Sequence, residues 1–282
     1  VSIEHIAVIG AGTMGNGIAQ VCAVAGYQVT LIDVSDAALE RGLATLRKNL
    51  ERQVSKQVLA ADLAEAAVAR IRTSTDYTQL QQAQMVIEAA TENLELKVRI
   101  LQQIATSVSS ECVIATNTSS LSITQLGATV SHPERFIGVH FFNPVPMMAL
   151  VEIIRGLQTN DATHATAMAL TERVGKTPIS AGNRPGFVVN RILVPMINEA
   201  IFVLQEGLAS AEDIDIGMRL GCNQPIGPLA LADLIGLDTL LAILEAFHEG
   251  YSDSKYRPAP LLKEMVAAGY LGRKSGRGFF TY

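Results

Sequence analysis

Hydrophobic residues in the first half of the chain come in short runs separated by stretches with helical spacing. His5–Ile9 (HIAVI) is an apolar run ending at Gly10, and the opening VSIEHIAVIG as a whole reads as a strand. A helical pattern follows through Ala25, and Gly26 stops it. A second run, QVTLI, ends at Asp33. Strand, glycine loop, helix and strand in that order make half of a mononucleotide-binding βαβαβ unit. Ser35 then opens a helical stretch to about Leu59, and a second helical piece covers 60–69. Arg70–Thr73 and Met85–Ala89 read as strands, Leu94–Ser107 as a helix and Val113–Thr116 as a strand. Phe136–Phe142 and Leu150–Ile154 add two strands, separated by the turn segment Asn143–Pro146.

The texture changes near residue 183. NRPGF marks a break, and from Phe187 onward helical spacing dominates. Helices are expected over 187–205, 211–220, 228–248 and 258–268, ahead of a glycine-rich tail. The pattern predicts a Rossmann-like α/β domain over 1–183 and an all-helical domain over 184–282. A chain of 282 residues is long for one core and comfortable for two.

Composition narrows the classes. A formal net charge of -5 argues against nucleic acid as a partner, although a local basic patch can still grip a phosphate. Tryptophan is absent and aromatics are 5%, so no stacking platform stands out. Cys22, Cys112 and Cys222 are odd in number and far apart, which fits small buried hydrophobes in a reduced cytosolic setting. No run of 18 apolar residues and no cleavable leader occur, so a soluble, cytoplasmic protein without a membrane span is expected. No metal site is expected.

The glycine loop carries the first candidate chemistry. Gly10-Ala11-Gly12-Thr13-Met14-Gly15 fits G-x-G-x-x-G between a strand and a helix. Gly10 would make the tight turn, Gly12 would let the backbone approach a pyrophosphate, and Gly15 would permit close helix–strand packing. Asp33, eighteen residues beyond Gly15, can accept hydrogen bonds from ribose hydroxyls and would repel the 2′-phosphate of NADP. Val34 and Ser35 offer no arginine to offset it. NAD is therefore favoured, with FAD as a rival, and Asp33 can also cap the following helix.

Proton transfer near neutral pH suits histidine best, and the five histidines supply the candidates. His140 ends a predicted strand beside a Phe-Phe-Asn-Pro turn; chemistry alone leaves acid/base and packing roles equally open. Glu152 sits twelve residues on among aliphatic residues, either as an edge-strand charge facing water or as the partner of His140. Ser119 follows a strand, but Ser120 and Ser122 are equally available as turn or capping residues. Asn190 opens a helix, where a cap or a packed side chain is the plain account. Lys48, Arg52 and Lys56, four apart, share one face, either simply solvated or binding a polyanion.

Several stretches together resemble the 3-hydroxyacyl-CoA dehydrogenase family, on its bacterial 3-hydroxybutyryl-CoA side. They are GAGTMGNGIA, VIEAATENLELK, TNTSSLSI, HFFNPVPMMALVEII, RPGFVVNRILVP, QPIGPLALADLIGLD, DSKYRP and LGRKSGRGFF, spread over essentially the whole chain. HFFNPVP with PGFVVNR is more discriminating than the glycine motif. The resemblance implies an NAD-dependent interconversion of short-chain (S)-3-hydroxyacyl-CoA and 3-oxoacyl-CoA. His140 becomes the acid/base, Glu152 its partner, and Ser119 and Asn190 the residues holding the substrate oxygens. Glu92, Lys97, Asn117, Asn143 and Lys274 join Gly10, Gly12, Thr13, Met14, Gly15, Asp33 and Ser119 at the NAD site, while Glu88 faces the cleft or serves architecture alone. Asn49, Arg52 and Lys56 align with coenzyme A contacts. The resemblance also implies a homodimer through the helical domain and a stand-alone enzyme without an attached hydratase. One departure stands out: relatives read PVPxMKLVE, whereas Ala149 replaces the lysine here. Two alternatives stay open, a dehydrogenase of a non-CoA 3-hydroxy acid and a non-catalytic, crystallin-like structural protein.

Overall fold

The computed structural model describes residues 3–282, so the first two residues of the opening strand segment lie outside the described residues. The chain forms two compact units, one running through Arg184 and the other starting at Pro185. In the first, eight strands among the described residues make one sheet: β1 (His5–Ile9), β2 (Gln28–Ile32), β3 (Ile71–Ser74), β4 (Met85–Glu88), β5 (Val113–Thr116), β6 (Phe136–Phe141), β7 (Leu150–Arg155) and β8 (Thr177–Gly182). Their order is β3-β2-β1-β4-β5-β6-β7-β8. Every pairing is parallel except β6 with β7, whose connection is too short for a crossover. The order reverses at β1, between β2 and β4, and such switch points open a crevice at the strand C-termini.

Helices α1 (Thr13–Val24), α2 (Asp36–Ser55), α3 (Ala61–Ala69), α4 (Leu94–Ser107), α5 (Ile123–Gly127) and α6 (Asp161–Arg173) complete this unit. The Ser35 hydroxyl accepts from Ala38 N to cap α2, and Asn93 accepts from Leu96 N to cap α4. Strand β4 is buried along its whole length, as a strand covered on both faces must be.

Helix α6 and strand β8 are absent from the hydrophobic reading. Alanines and threonines give α6 little apolar contrast, and β8 lies at the sheet edge with mostly exposed or half-buried positions. Their presence moves β7 inward, so Glu152 is fully buried and is not an edge charge facing water.

The second unit holds α7 (Val189–Gln205), α8 (Ala211–Gly221), α9 (Pro228–Ile235), α10 (Leu237–Tyr251) and α11 (Pro260–Ala267) around Ile197, Ile201, Leu229, Leu240, Leu244, Phe247 and Leu262. The single helix expected over 228–248 is two, because Gly236 at φ +98° takes a conformation that side chains disfavour. Two buried carboxylates bind this unit together. Asp215 accepts from Leu229 N and Ala230 N, at 2.8 and 2.9 Å, in the first turn of α9. Asp233 accepts from Phe279 N and Phe280 N in the tail, both at 2.9 Å. Cys22 and Cys112 are buried, but Cys222, at the C-terminal end of α8, is exposed, contrary to the expectation of three buried thiols. Among the described residues no helix is long and apolar enough to cross a membrane.

Candidate active site

The glycine loop leaves β1 and enters α1 through three glycines with three different surroundings. Gly10 has φ +100°, and a Cβ there would lie 2.7 Å from Ala90 Cα. A Cβ on Gly15 would lie 1.7 Å from Gly10 O, so only glycine lets α1 pack this closely. At Gly12 a Cβ would meet no protein atom within 4 Å. That opening faces a cavity of about 410 Å³ lined by Gly10, Gly12, Thr13, Asp33, Asn143 and Pro146, among others. Gly12 also sits at the N-cap of α1 without a capping side chain, where helix N–H groups favour an anion. Asp33 is fixed by accepting from Ala11 N at 2.8 Å and Ser35 N at 3.3 Å, and it faces the same cavity. An open cradle for phosphates with a carboxylate beside it fits a dinucleotide. The same cavity takes in Asn49 from α2, and also Arg41 and Thr45, two residues the motif reading missed. Their signal was Gly42: a glycine inside an amphipathic helix marks close approach, and its Cβ would lie 2.7 Å from Ala11 O. Met14 is half-buried and packs against the sheet unit's core rather than lining this cavity.

The acid/base candidates come from neighbouring strands. His140 on β6 and Glu152 on β7 are register partners in the antiparallel pair, so both side chains leave the same face. His140 Nδ1 and Glu152 Oε2 are 2.7 Å apart, with the glutamate fully buried and the histidine nearly so. The Phe142 ring lies 4.5 Å from the imidazole, centroid to centroid. A carboxylate on Nδ1 fixes the tautomer and orients the ring, which directs proton exchange through Nε2.

At the C-terminal ends of β4 and β5 a second network orders the NTSS turn. Glu88 is buried, accepts from Ala90 N at 2.8 Å and Thr116 Oγ1 at 2.6 Å, and is ion-paired with the buried ammonium of Lys97. Lys97 also donates to Thr116 Oγ1 at 3.2 Å and to Asn117 O at 3.3 Å, so the buried pair is fully hydrogen-bonded. Lys97 therefore sits beneath the turn. The Asn117 side chain accepts from Phe141 N at 2.9 Å, tying the turn to the residue after His140. Glu92 Oε1 gathers Thr118 Oγ1, Ser119 N, Ser119 Oγ and Ser120 Oγ at 2.8–3.2 Å. Burial, followed by the Glu88 and Asp33 carboxylates, pushes the nearby Tyr77 phenol up.

Other candidate residues lie on α2 and in the helical unit. Lys48, Arg52 and Lys56 are exposed on or just after α2, free of ion pairs among the described residues. Lys274 donates to Asp238 Oδ2 at 2.7 Å within the helical unit. Asn190 is half-buried in the first turn of α7, just after Phe187 at φ +51°. No cluster of metal-binding side chains occurs among the described residues.

The family model for the 3-hydroxyacyl-CoA dehydrogenase NAD binding domain matches residues 5–184, and the model for the C-terminal domain matches 186–282. The chain belongs to the 3-hydroxyacyl-CoA dehydrogenase family. It is 50% identical over 280 residues to a 3-hydroxybutyryl-CoA dehydrogenase of Bradyrhizobium diazoefficiens, covering 99% of this chain and 96% of that one. A probable 3-hydroxybutyryl-CoA dehydrogenase of Bacillus subtilis is 49% identical over 99% of this chain and 98% of its own length. The crystal structure of (S)-3-hydroxybutyryl-CoA dehydrogenase from Ralstonia eutropha matches with a TM-score of 0.99 at 60% identity, covering 100% of this chain and 99% of that one. The NAD binding domain of this family covers the residues that form the open cradle at Gly12.

Proposed function

We propose that this protein oxidises short-chain (S)-3-hydroxyacyl-CoA to 3-oxoacyl-CoA with NAD, and runs the reverse reaction, with 3-hydroxybutyryl-CoA and acetoacetyl-CoA as the pair. The observation that carries the reading is the buried His140–Glu152 pair at 2.7 Å, in a unit that also holds the dinucleotide cradle. NAD, when bound, accepts the hydride that leaves C3. His140 takes the hydroxyl proton through Nε2, and the imidazolium that forms is stabilised by Glu152. In the reverse direction the same imidazolium donates its proton to the 3-oxo oxygen.

Ser119 and Asn190 are assigned to the substrate oxygens, where fixed orientation supplies much of the rate. The Ser119 hydroxyl donates to Glu92, so donating to a substrate oxygen requires it to exchange that partner, whereas accepting from a substrate hydroxyl does not. Glu92, Asn117, Asn143 and Lys274 are assigned to NAD, with Lys97 and Glu88 supporting the Asn117 turn from beneath. Asn49, Arg52 and Lys56 are assigned to coenzyme A, whose negative charges suit an exposed basic face on an otherwise acidic chain. A homodimer through the helical unit, in the cytoplasm, completes the reading. Ile192, Leu208 and Leu220 are large apolar side chains at least two-thirds exposed, and a second copy would cover them. Solution mass tests the dimer.

Consumption of NADH and NADPH with acetoacetyl-CoA, longer 3-oxoacyl-CoAs and free acetoacetate tests the function. The expected result is NADH-dependent turnover of acetoacetyl-CoA, with free acetoacetate slower by about 10³-fold or more, since the binding energy of the remote CoA moiety is lost. Equal turnover of free acetoacetate would transfer the protein to the non-CoA hydroxy acids. NADH binding without turnover would make it a structural relative.

A further inference from the structure

One wall of the glycine-loop cavity is fastened by a lysine to which the mechanism assigns no role. Lys176 lies between α6 and β8 and is buried. Its ammonium donates to Val145 O and Met148 O, both at 2.6 Å. The other buried cation of this unit, Lys97, has a carboxylate, whereas Lys176 has no ion pair among the described residues. A buried charge without a counterion is costly unless dipoles hold it. Burial pushes the Lys176 pKa down, the sign expected for a lysine in such a place.

Both carbonyls belong to the connection between β6 and β7, and that connection forms part of the cofactor site. Asn143, Pro144, Val145 and Pro146 line the same cavity as Gly12 and Asp33. The connection has no ladder of its own; Pro144 O accepts from Met147 N and Met148 N, at 3.0 Å each. Besides the Thr177 N–Ala149 O bond at its end, two side-chain anchors fix it. Val145 is buried against α1, where a Cβ on Gly17 would lie 2.8 Å from Val145 Cβ. Lys176 is the second, holding the backbone on either side of Pro146 and Met147.

We propose that Lys176 is a positioning residue for cofactor binding, setting the distance between the Asn143–Pro146 wall and the glycine loop. A methionine of similar length would fill the same channel but offer no donor to either carbonyl. The inference rests on the cofactor reading of this cavity and is independent of the acyl substrate.

The test is NADH titration by fluorescence on the full-length protein without any acyl-CoA, together with amide hydrogen exchange over 143–148. Lys176→Met is expected to raise the NADH Kd by about tenfold, the scale of one charge-assisted hydrogen bond, and to speed exchange in that segment. The kcat at saturating NADH should stay within about threefold of wild type, with an unchanged pH profile. Lys176→Arg, which keeps the charge and the donors, should recover most of the affinity. Wild-type NADH affinity in folded Lys176→Met would overturn the proposal. So would a loss that Arg does not rescue and that comes with faster exchange throughout the unit, because that is a purely structural role. If Lys176→Met does not fold, Lys176→Gln, with an amide donor for one carbonyl, takes its place with an expected Kd rise of about threefold. Unchanged affinity there overturns the proposal equally. Failure of the substrate assignment appears separately, as wild-type protein that binds NADH and does not reduce acetoacetyl-CoA.

Discussion

In the sheet unit, Glu88 is buried beside Lys97 and Glu152 beside His140. In the helical unit, Asp215 and Asp233 are also buried, but among the described residues they make no ion pair and their carboxylates accept from backbone amides. The difference separates two uses of buried charge. A carboxylate against an imidazole can stabilise a proton that comes and goes. A carboxylate against amides caps a helix or staples a tail, and its protonation only weakens the fold. Glycines serve the second use: a Cβ on Gly227 would lie 2.2 Å from Asp215 Cγ, and one on Gly278 1.9 Å from Asp233 Oδ1.

The largest effect expected from this contrast is at His140. His140→Gln should lower kcat by about 10³-fold or more, and Glu152→Gln by about 10²-fold, with NADH affinity retained in both. Stopped-flow reduction of acetoacetyl-CoA reads both, and a His140→Gln protein at wild-type rate would remove the acid/base assignment. Asn190 offers a way to break the comparison, because its proposed role would give the helical unit a chemical task. Asn190→Ala should cost about 10²-fold in kcat/KM, the scale of one oriented donor, without changing NADH binding. A neutral result would leave the helical unit purely structural.

Asp215→Asn sharpens the other half. An amide can accept from one of the two backbone N–H groups but sets a donor against the second, so about 2 kcal/mol of stability should be lost in urea denaturation. Activity per folded molecule should not change, and lost activity at full stability would show that Asp215 is more than a staple.

The smallest effect near neutral pH concerns the thiols. Burial pushes the Cys22 and Cys112 thiols of the sheet unit up from 9.0 to about 12, whereas Cys222 of the helical unit is exposed. Between those values the folded protein holds protons that the unfolded chain has released. Stability should therefore be fully present below about pH 9 and decline as pH rises toward 12, by up to about 1.4 kcal/mol per unit for each thiol. Cys22→Ala should reduce that slope in urea midpoints measured from pH 8 upward. Near pH 8 a thiol reagent should modify Cys222 alone in the native protein; labelling of Cys22 would show that its burial is not maintained.

Much of the site could be read along the chain because it sits where hydrophobic runs end. Gly10, Gly12, Asp33 and Asn117 follow short, largely apolar strands, so their places at the sheet edge come from local pattern alone. What escaped reading had weak local contrast. Strand β8 carries no apolar run, and without it Glu152 looked as ready to face water as to meet His140. Arg41 and Thr45 lie on a helix face that becomes a cavity wall only because Gly42 lets α2 approach Ala11. Lys176 looks like any lysine between a helix and a strand.

The sequence by itself determined the order of the strands through β7, the helical character of the second unit, the glycine cradle, the acid beside it and the residue types able to move a proton. Each depends on neighbours within a few positions or on a chemistry that only certain side chains possess. Tertiary structure decided which of those residues meet. His140 and Glu152 are twelve positions apart and become a pair only through the antiparallel register of β6 and β7. Lys97 reaches Asn117 O, and Lys176 reaches the carbonyls of Val145 and Met148, across segments that share no local pattern. Register, burial and the reach of a long side chain are properties of the packed sheet, so these contacts appear only once the fold has formed.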